Sequence, residues 1–476
     1  MNVAKKIGNA TVLLVLRKMW GGVVTFFVTA YLARILPKED FGLLAISSVL
    51  ITFVELLLMS GIGEYVIFYN KPDKKPLANS AFWLILFLSI FVCLLVFILL
   101  PFWSSYYNDA RIKNIGYLLL VNFFFSMIAS IPNGLLRKEL DFKPIVFIQT
   151  IVGTLTNVSQ VVFAIFGYGV YSLALPKAIF APLLAFLLFY KSNFTPSINF
   201  NIKYWKDIFD YTKYVVGQRI LGKFVNEGDT LLIGKFFGMA SLGIYNISFQ
   251  FSNLINAYFL PVVTNISLPL LAKYNNDNEK LKNSYYRMIR LISYIFLPMI
   301  TLFAIFSKYI VLMLYGEKWI DAVIYIKILL VYVAFNIVSS PSSSIFNAVG
   351  KPKIGFRFNL ISTPIFIIGI LASTYLCNSL LITVATITII RFFSSIFLVN
   401  LSMKVIDESF VFLKNIFHLF FLAQITIIIN IFLDLNLLGT FFFAFLFLIM
   451  IFCLCRIKKN DTQEVINEIK SMFKKK

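Results

Sequence analysis

Ten charged side chains stand inside the long apolar stretches of this 476-residue chain: Arg17, Lys18, Glu55, Lys177, Arg219, Lys223, Glu227, Asp229, Lys327 and Arg391. At the centre of a bilayer a charge is tolerated only where it faces protein or water, so each needs a reason. Most are basic, and guanidinium and ammonium groups gathered in one cavity suit a polyanion such as a phosphate or pyrophosphate, where arginine engages two oxygens at once. Their spacing adds a pattern: 201 residues beyond Lys18 lies Arg219, and 214 beyond Lys177 lies Arg391. Lys18, Lys177, Arg219, Lys223 and Arg391 are therefore the expected anion-binding residues. Glu55, Glu227 and Asp229 are expected to couple an ion or to pair charge. A plainer role stands beside this one: Arg17 and Lys18 can extend to the membrane surface as anchors, and Lys223 with Glu227 can balance each other one helical turn apart.

Other chemistry finds no support. There is no Gly-Lys-Ser/Thr phosphate loop, no Gly-x-Ser-x-Gly elbow and no His-Glu-x-x-His, so neither a catalytic residue nor a cofactor is expected. Cys93, Cys377, Cys453 and Cys455 lie in or at the ends of apolar segments without metal-ligand spacing, so disulfides and metal sites are not expected either. The single histidine, His418, reads as a packed or interfacial residue ahead of a proton relay.

The elements that must hold these charges are membrane helices. Hydrophobic residues make up 59% of the chain and charged ones 14%, against roughly 25% charged in soluble domains. Apolar runs of about 20 residues, enough for a hydrocarbon core of roughly 30 Å, follow one another. They predict fourteen spans, at 12–33, 41–61, 79–101, 115–136, 144–165, 169–190, 208–232, 240–268, 288–307, 323–346, 354–376, 380–402, 412–432 and 437–455. With the N-terminus inside, cytoplasmic segments together with the bordering span ends hold 29 of the 43 Lys and Arg residues and the opposite side 7. That asymmetry predicts both termini in the cytoplasm. The formal charge of +21 is thereby read as positive-inside charge with a basic, headgroup-facing tail, not as a nucleic-acid footprint. No signal-peptide pattern opens the chain, so the first span is expected to stay. The loops are too short for an ATPase domain or a large outward domain.

The chain also repeats itself. Arg34-Ile-Leu-Pro-Lys-Glu-Asp-Phe-Gly-Leu-Leu-Ala-Ile46 matches Lys235-Phe-Phe-Gly-Met-Ala-Ser-Leu-Gly-Ile-Tyr-Asn-Ile247 with Arg34 on Lys235 and Gly42 on Gly243, both 201 apart. Asn133-Gly-Leu-Leu-Arg-Lys and Asn347-Ala-Val-Gly-Lys-Pro form a second anchor at 214. Internal duplication in a membrane protein points to a site between two similar halves and to transport. The predicted organisation is an N-terminal lobe of six spans over 1–202, a C-terminal lobe of six over 203–403, two further spans over 404–456 and a basic tail over 457–476.

Ala33-Arg-Ile-Leu-Pro-Lys-Glu-Asp-Phe-Gly42 resembles the signature closing the first helix of polysaccharide flippases of the O-antigen (Wzx) type, in the multidrug/oligosaccharidyl-lipid/polysaccharide exporter superfamily. Leu135-Leu-Arg-Lys-Glu-Leu-Asp-Phe142, Gly167-Tyr-Gly-Val-Tyr-Ser-Leu173, Asp229-Thr-Leu-Leu-Ile-Gly-Lys-Phe-Phe-Gly238, Leu242-Gly-Ile-Tyr245 and Gly316-Glu-Lys-Trp319 agree in order. The resemblance implies an all-helical fold of two six-helix lobes plus two helices. It also implies movement of undecaprenyl-pyrophosphate-linked oligosaccharide across the bacterial cytoplasmic membrane for O-antigen, capsule or exopolysaccharide. Membrane lipids and a polymerase or chain-length machinery are the implied partners. Trp20, Trp83, Trp103, Trp205 and Trp319 mostly fall near predicted interfaces, where aromatic belts are expected, and among them Trp20 is the candidate for sugar contact. A drug or cation exporter of the same superfamily, which needs acidic residues in an apolar cavity, and a membrane polymerase or ligase are the competing readings.

Overall fold

The computed structural model describes residues 3–59, 62, 65–66, 74–198, 201–406, 414–433 and 435–457. Among these residues every regular element is a helix, as backbone in hydrocarbon must satisfy its own polar groups. The first half comprises α1 (Val3–Ile35), α2 (Lys38–Met59), α3 (Lys74–Tyr106), α4 (Arg111–Ile128), α5 (Ser130–Lys138), α6 (Phe142–Ile165) and α7 (Tyr171–Ser192). Then come α8 (Ile202–Ser252), α9 (Leu254–Lys273), α10 (Asn278–Ile305), α11 (Ser307–Leu314) and a 3-10 turn at Glu317–Trp319. The chain continues through α12 (Ala322–Ala348), α13 (Pro352–Cys377), α14 (Leu380–Val405), α15 (Lys414–Phe432) and α16 (Leu437–Ile457).

α8 is two helices joined at a bend, because Gly238 sits at φ 78°, a left-handed conformation that glycine adopts without a Cβ penalty. Pro37, 201 residues earlier, separates α1 from α2 at the equivalent place, since proline cannot donate to the preceding turn. The same junction is thus broken by two different residues.

Eleven segments among the described residues are long and apolar enough to cross a membrane by length and composition. The predicted spans 41–61, 208–232 and 412–432, which have no separate counterpart among the eleven, each run into residues whose side chains lie outside those described. α2 opens on Lys38, Glu39 and Asp40 and also contains Glu55; Glu227–Lys273 runs as one segment through the bend of α8 and into α9; and α15 contributes only the shorter apolar stretch His418–Phe432. The basic stretch 458–476 lies outside the described residues.

The chain forms two compact units, Met1–Asn246 and Ile247–Lys476. Within the first, α7 packs on α4 and α6, α4 also packs on α2 and α3, and α1 lies along α6. Within the second, α14 packs on α12 and α13, while α12 also packs on α9 and α10. The packing of α7 on α4 and α6, and of α4 on α2 and α3, is repeated by α14 on α12 and α13, and by α12 on α9 and α10, which is the three-dimensional form of the sequence repeat. α15 adds to the second unit by packing on α10 and α12.

The units divide inside α8, beyond the repeat boundary near residue 202, and the glycines of the repeat supply the reason. A Cβ on Gly42 would overlap the carbonyl oxygen of Met239, and a Cβ on Gly243 would overlap that of Lys38. Met239 lies 201 residues after Lys38, so this is one contact made twice, each copy's glycine receiving the other's helix start. Tyr107 Oη donates to the Leu231 carbonyl at 3.1 Å. Lys235 Nζ donates to the Tyr106 carbonyl at 2.6 Å and stands 3.9 Å over the Tyr106 ring. These contacts hold the start of the second copy against the first.

Candidate functional site

α6 is two-faced, and its two faces explain the site. Ile145, Ile148 and Val152 enter an apolar cluster with Ala129, between α4 and α5, Leu136 of α5, and Ala185 and Leu188 of α7. That packing fixes the rotation of α6 and leaves Gln149, Gly153 and Asn157, at i, i+4 and i+8, on another face. Opposite them α1 presents Arg17, Gly21 and Thr25 at the same spacing. Together with Lys18 and Trp20 these residues line a cavity of about 270 Å³ between the two helices.

The groove is polar and positively charged. Arg17 Nη1 donates to Gln149 Oε1, and Arg17 also lies within electrostatic reach of a second guanidinium, Arg137, at the end of α5. Lys18 is exposed beside it. Asn157 Nδ2 donates to Thr25 Oγ1 at 3.3 Å, and Trp20 Nε1 to Thr154 Oγ1 at 3.4 Å. Like charges gathered this way repel one another until an anion arrives. The arrangement can hold a phosphate through charge-assisted hydrogen bonds, with the guanidinium fork giving direction as well as attraction.

The remaining residues singled out by sequence fall into different surroundings. Lys223 and Glu227 form an ion pair at 2.8 Å, one turn apart on α8. Asp229 is buried, at 1% exposure; it accepts from Tyr245 Oη at 2.6 Å and from the Thr230 amide at 2.8 Å. The bond to Tyr245 spans the Gly238 bend and clasps the two arms of α8, linking two of the signature stretches. Glu55 is exposed on α2 and Lys177 is half-buried on α7. The side chain of Arg219 lies outside the described residues.

In the second unit Arg391 is 7% exposed on α14. Its guanidinium lies 5.2 Å from the ring of Phe249, 5.4 Å from that of Tyr332 and 4.9 Å from that of Phe366. Lys327 is similarly enclosed: Nζ donates at 2.6 Å to the carbonyl of Asn430, in the last turn of α15, where the helix dipole favours a cation.

Gln149, Thr154 and Asn157 were not among the sequence candidates. Uncharged polar residues cost less than charges in a span, so a search for charges passes over them. The signal that finds them is a polar stripe at helical spacing inside an apolar segment.

The description of polysaccharide biosynthesis proteins matches residues 31–324. The lipopolysaccharide biosynthesis protein WzxC of Escherichia coli (strain K12) is 25% identical over 366 residues, covering 74% of this chain and 72% of that protein. The curated relatives are matched over 54–72% of their own length. In fold the chain is similar to the lipid II flippase MurJ in an inward closed conformation, with TM-score 0.73 at 14% identity, covering 94% of this chain and 99% of that one. It is also similar to an inward-facing multidrug resistance transporter of the MATE family and MOP superfamily, with TM-score 0.65 at 15% identity, covering 84% and 98%.

Proposed function

This chain belongs to the polysaccharide biosynthesis protein family, and from that premise we propose that it is a flippase of lipid-linked oligosaccharide. It moves undecaprenyl-pyrophosphate-linked repeat units from the inner to the outer leaflet of the bacterial cytoplasmic membrane for surface polysaccharide. The observation that carries this reading is the groove between α1 and α6, where Arg17 and Lys18 meet an open polar cavity with Arg137 nearby. A pyrophosphate is the part of such a lipid that these groups hold. Lys177 and Arg219 are kept as further candidate contacts of the anion in this proposal. The carboxylates support the flippase over a cation exporter, because Glu227 is paired with Lys223 and Asp229 is engaged by Tyr245.

The proposed topology counts α2, both arms of α8 and α15 among fourteen crossings, with both termini cytoplasmic. In a transport cycle the anion favours the occluded state by its greater affinity for it.

Mass spectrometry of lipid retained by the purified protein tests the reading. The expected species is a polyprenyl pyrophosphate bearing sugar, depleted in Arg17→Ala. Retention of bulk phospholipid alone, with no pyrophosphate lipid in the wild type, overturns it.

A further inference from the structure

The cations occupy only one end of the groove lining. Beyond Arg17 and Lys18 the walls are Trp20, Thr25, Gln149, Thr150, Thr154 and Asn157, a set of neutral donors and acceptors around one aromatic ring. The floor is open because two glycines make it so: a Cβ added at Gly21 or at Gly153 meets no atom within 4 Å. Any larger residue there would fill the space, so the cavity is a product of residue choice on both helices. Gln149 is held by Arg17, but the other polar pairs around the cavity hold one another only loosely. The Trp20–Thr154 and Asn157–Thr25 bonds are 3.4 and 3.3 Å, beyond the usual 2.7–3.2 Å, and a ligand hydroxyl at normal distance replaces them without loss. Trp20 is 54% exposed, with its ring available to a ligand face.

We infer that this groove is a monosaccharide subsite: it reads the sugar joined directly to the pyrophosphate, with Trp20 against the ring and Thr25, Thr154 and Asn157 against its hydroxyls. The inference rests on the flippase reading and assigns the substrate-selecting residues within it. Size decides between one sugar and several. At about 270 Å³ the cavity falls just under the roughly 300 Å³ at which pockets for drug-sized ligands begin, enough for one ring and too small for an oligosaccharide. Composition decides between sugar and lipid tail, since an acyl or prenyl chain gains nothing from the amide of Asn157 or the hydroxyls of Thr25, Thr150 and Thr154 and would leave them unpaired. Adjacency to Arg17 and Lys18 then selects the sugar next to the phosphates, not one further along the chain.

The test uses the full-length protein in nanodiscs and four synthetic polyprenyl pyrophosphates carrying glucose, galactose, N-acetylglucosamine or no sugar. Wild type should bind at least one glycosylated lipid about tenfold more tightly than the bare one, which corresponds to about 1.4 kcal/mol. Gly153→Leu, which fills the cavity, and Trp20→Ala should each erase that preference, bringing the glycosylated lipids and the bare one to a common affinity, and Trp20→Phe should restore part of it. Arg17→Ala should weaken all four lipids alike. Thermal unfolding of each variant confirms a folded protein, and Asn157→Leu, an apolar residue of similar size, gives a second route should Gly153→Leu not accumulate. If wild type binds the bare and glycosylated lipids equally, or if Gly153→Leu and Trp20→Ala keep the preference, the subsite is wrong and the flippase reading stands. If wild type binds none of the four, the flippase reading fails and the subsite with it.

Discussion

The two units hold intramembrane cations in opposite ways. In the first, Arg17 and Lys18 border an open groove whose other walls are hydroxyls and amides; in the second, Arg391 is enclosed by three aromatic rings and Lys327 is spent on a helix-end carbonyl. Residue type does not separate these cases, since all four are basic residues in apolar segments. Neighbours separate them. A cation surrounded by rings and carbonyls already has the groups that make burial tolerable, while one beside a polar void is arranged for something that arrives.

The largest expected effect breaks the open side. Arg17→Ala with Lys18→Ala removes two charge-assisted contacts of about 1.5–3 kcal/mol each, so surface polysaccharide should fall by about two orders of magnitude or more at unchanged membrane protein level. Arg17→Lys should recover part of it, keeping charge and losing the fork. Near-normal polysaccharide in the double variant would place both residues among the surface anchors.

A smaller effect belongs to the closed side. Arg391→Leu removes cation–ring contacts worth about 2 kcal/mol when desolvated, so the variant should melt earlier and accumulate less, while export per folded molecule holds. Lost export in a variant of normal thermal stability would return Arg391 to the substrate path, as its repeat pairing with Lys177 first suggested.

That pairing shows how far the sequence carries. The offset of 201 that joins Arg34 to Lys235 and Gly42 to Gly243 foretells a real contact, because both glycines are needed for two helix starts to approach. The break at Pro37 and Gly238 is legible for the same reason, each residue failing in its own way to continue a helix. Lys18 is legible as a charge that must face something other than lipid. The aromatic cage is not, since Phe249, Tyr332 and Phe366 come from three helices and look like ordinary apolar residues until the fold assembles them. The clasp between Asp229 and Tyr245 is hidden similarly, for it exists only because α8 bends at Gly238. The groove wall of Gln149, Thr154 and Asn157 lies between these cases: its period is visible, but only the packing of Ile145, Ile148 and Val152 shows which way it turns.

The smallest expected effect lies outside the spans and serves as a control on both sides. Asp109, between α3 and α4, accepts from Arg111 Nη2 at 2.7 Å, and that bond holds its carboxyl below the usual range. Because the folded value is depressed, the contribution is present above the unfolded value of about 3.9 and is lost as pH falls through the folded one. Thermal stability should therefore differ little between wild type and Asp109→Asn at low pH and slightly favour wild type near neutrality. A gap that widened on acidification would contradict the assignment. Neither groove nor cage should respond over that interval, as both depend on guanidinium groups that remain protonated.

The central claim is tested most directly by watching a lipid change leaflets. Protein reconstituted in liposomes with a polyprenyl pyrophosphate oligosaccharide in one leaflet should expose that sugar to an enzyme or lectin confined to the opposite side, and Arg17→Ala with Lys18→Ala should slow the transfer by about a hundredfold. Transfer no faster than in protein-free liposomes, or equal transfer by wild type and the double variant, would contradict the account.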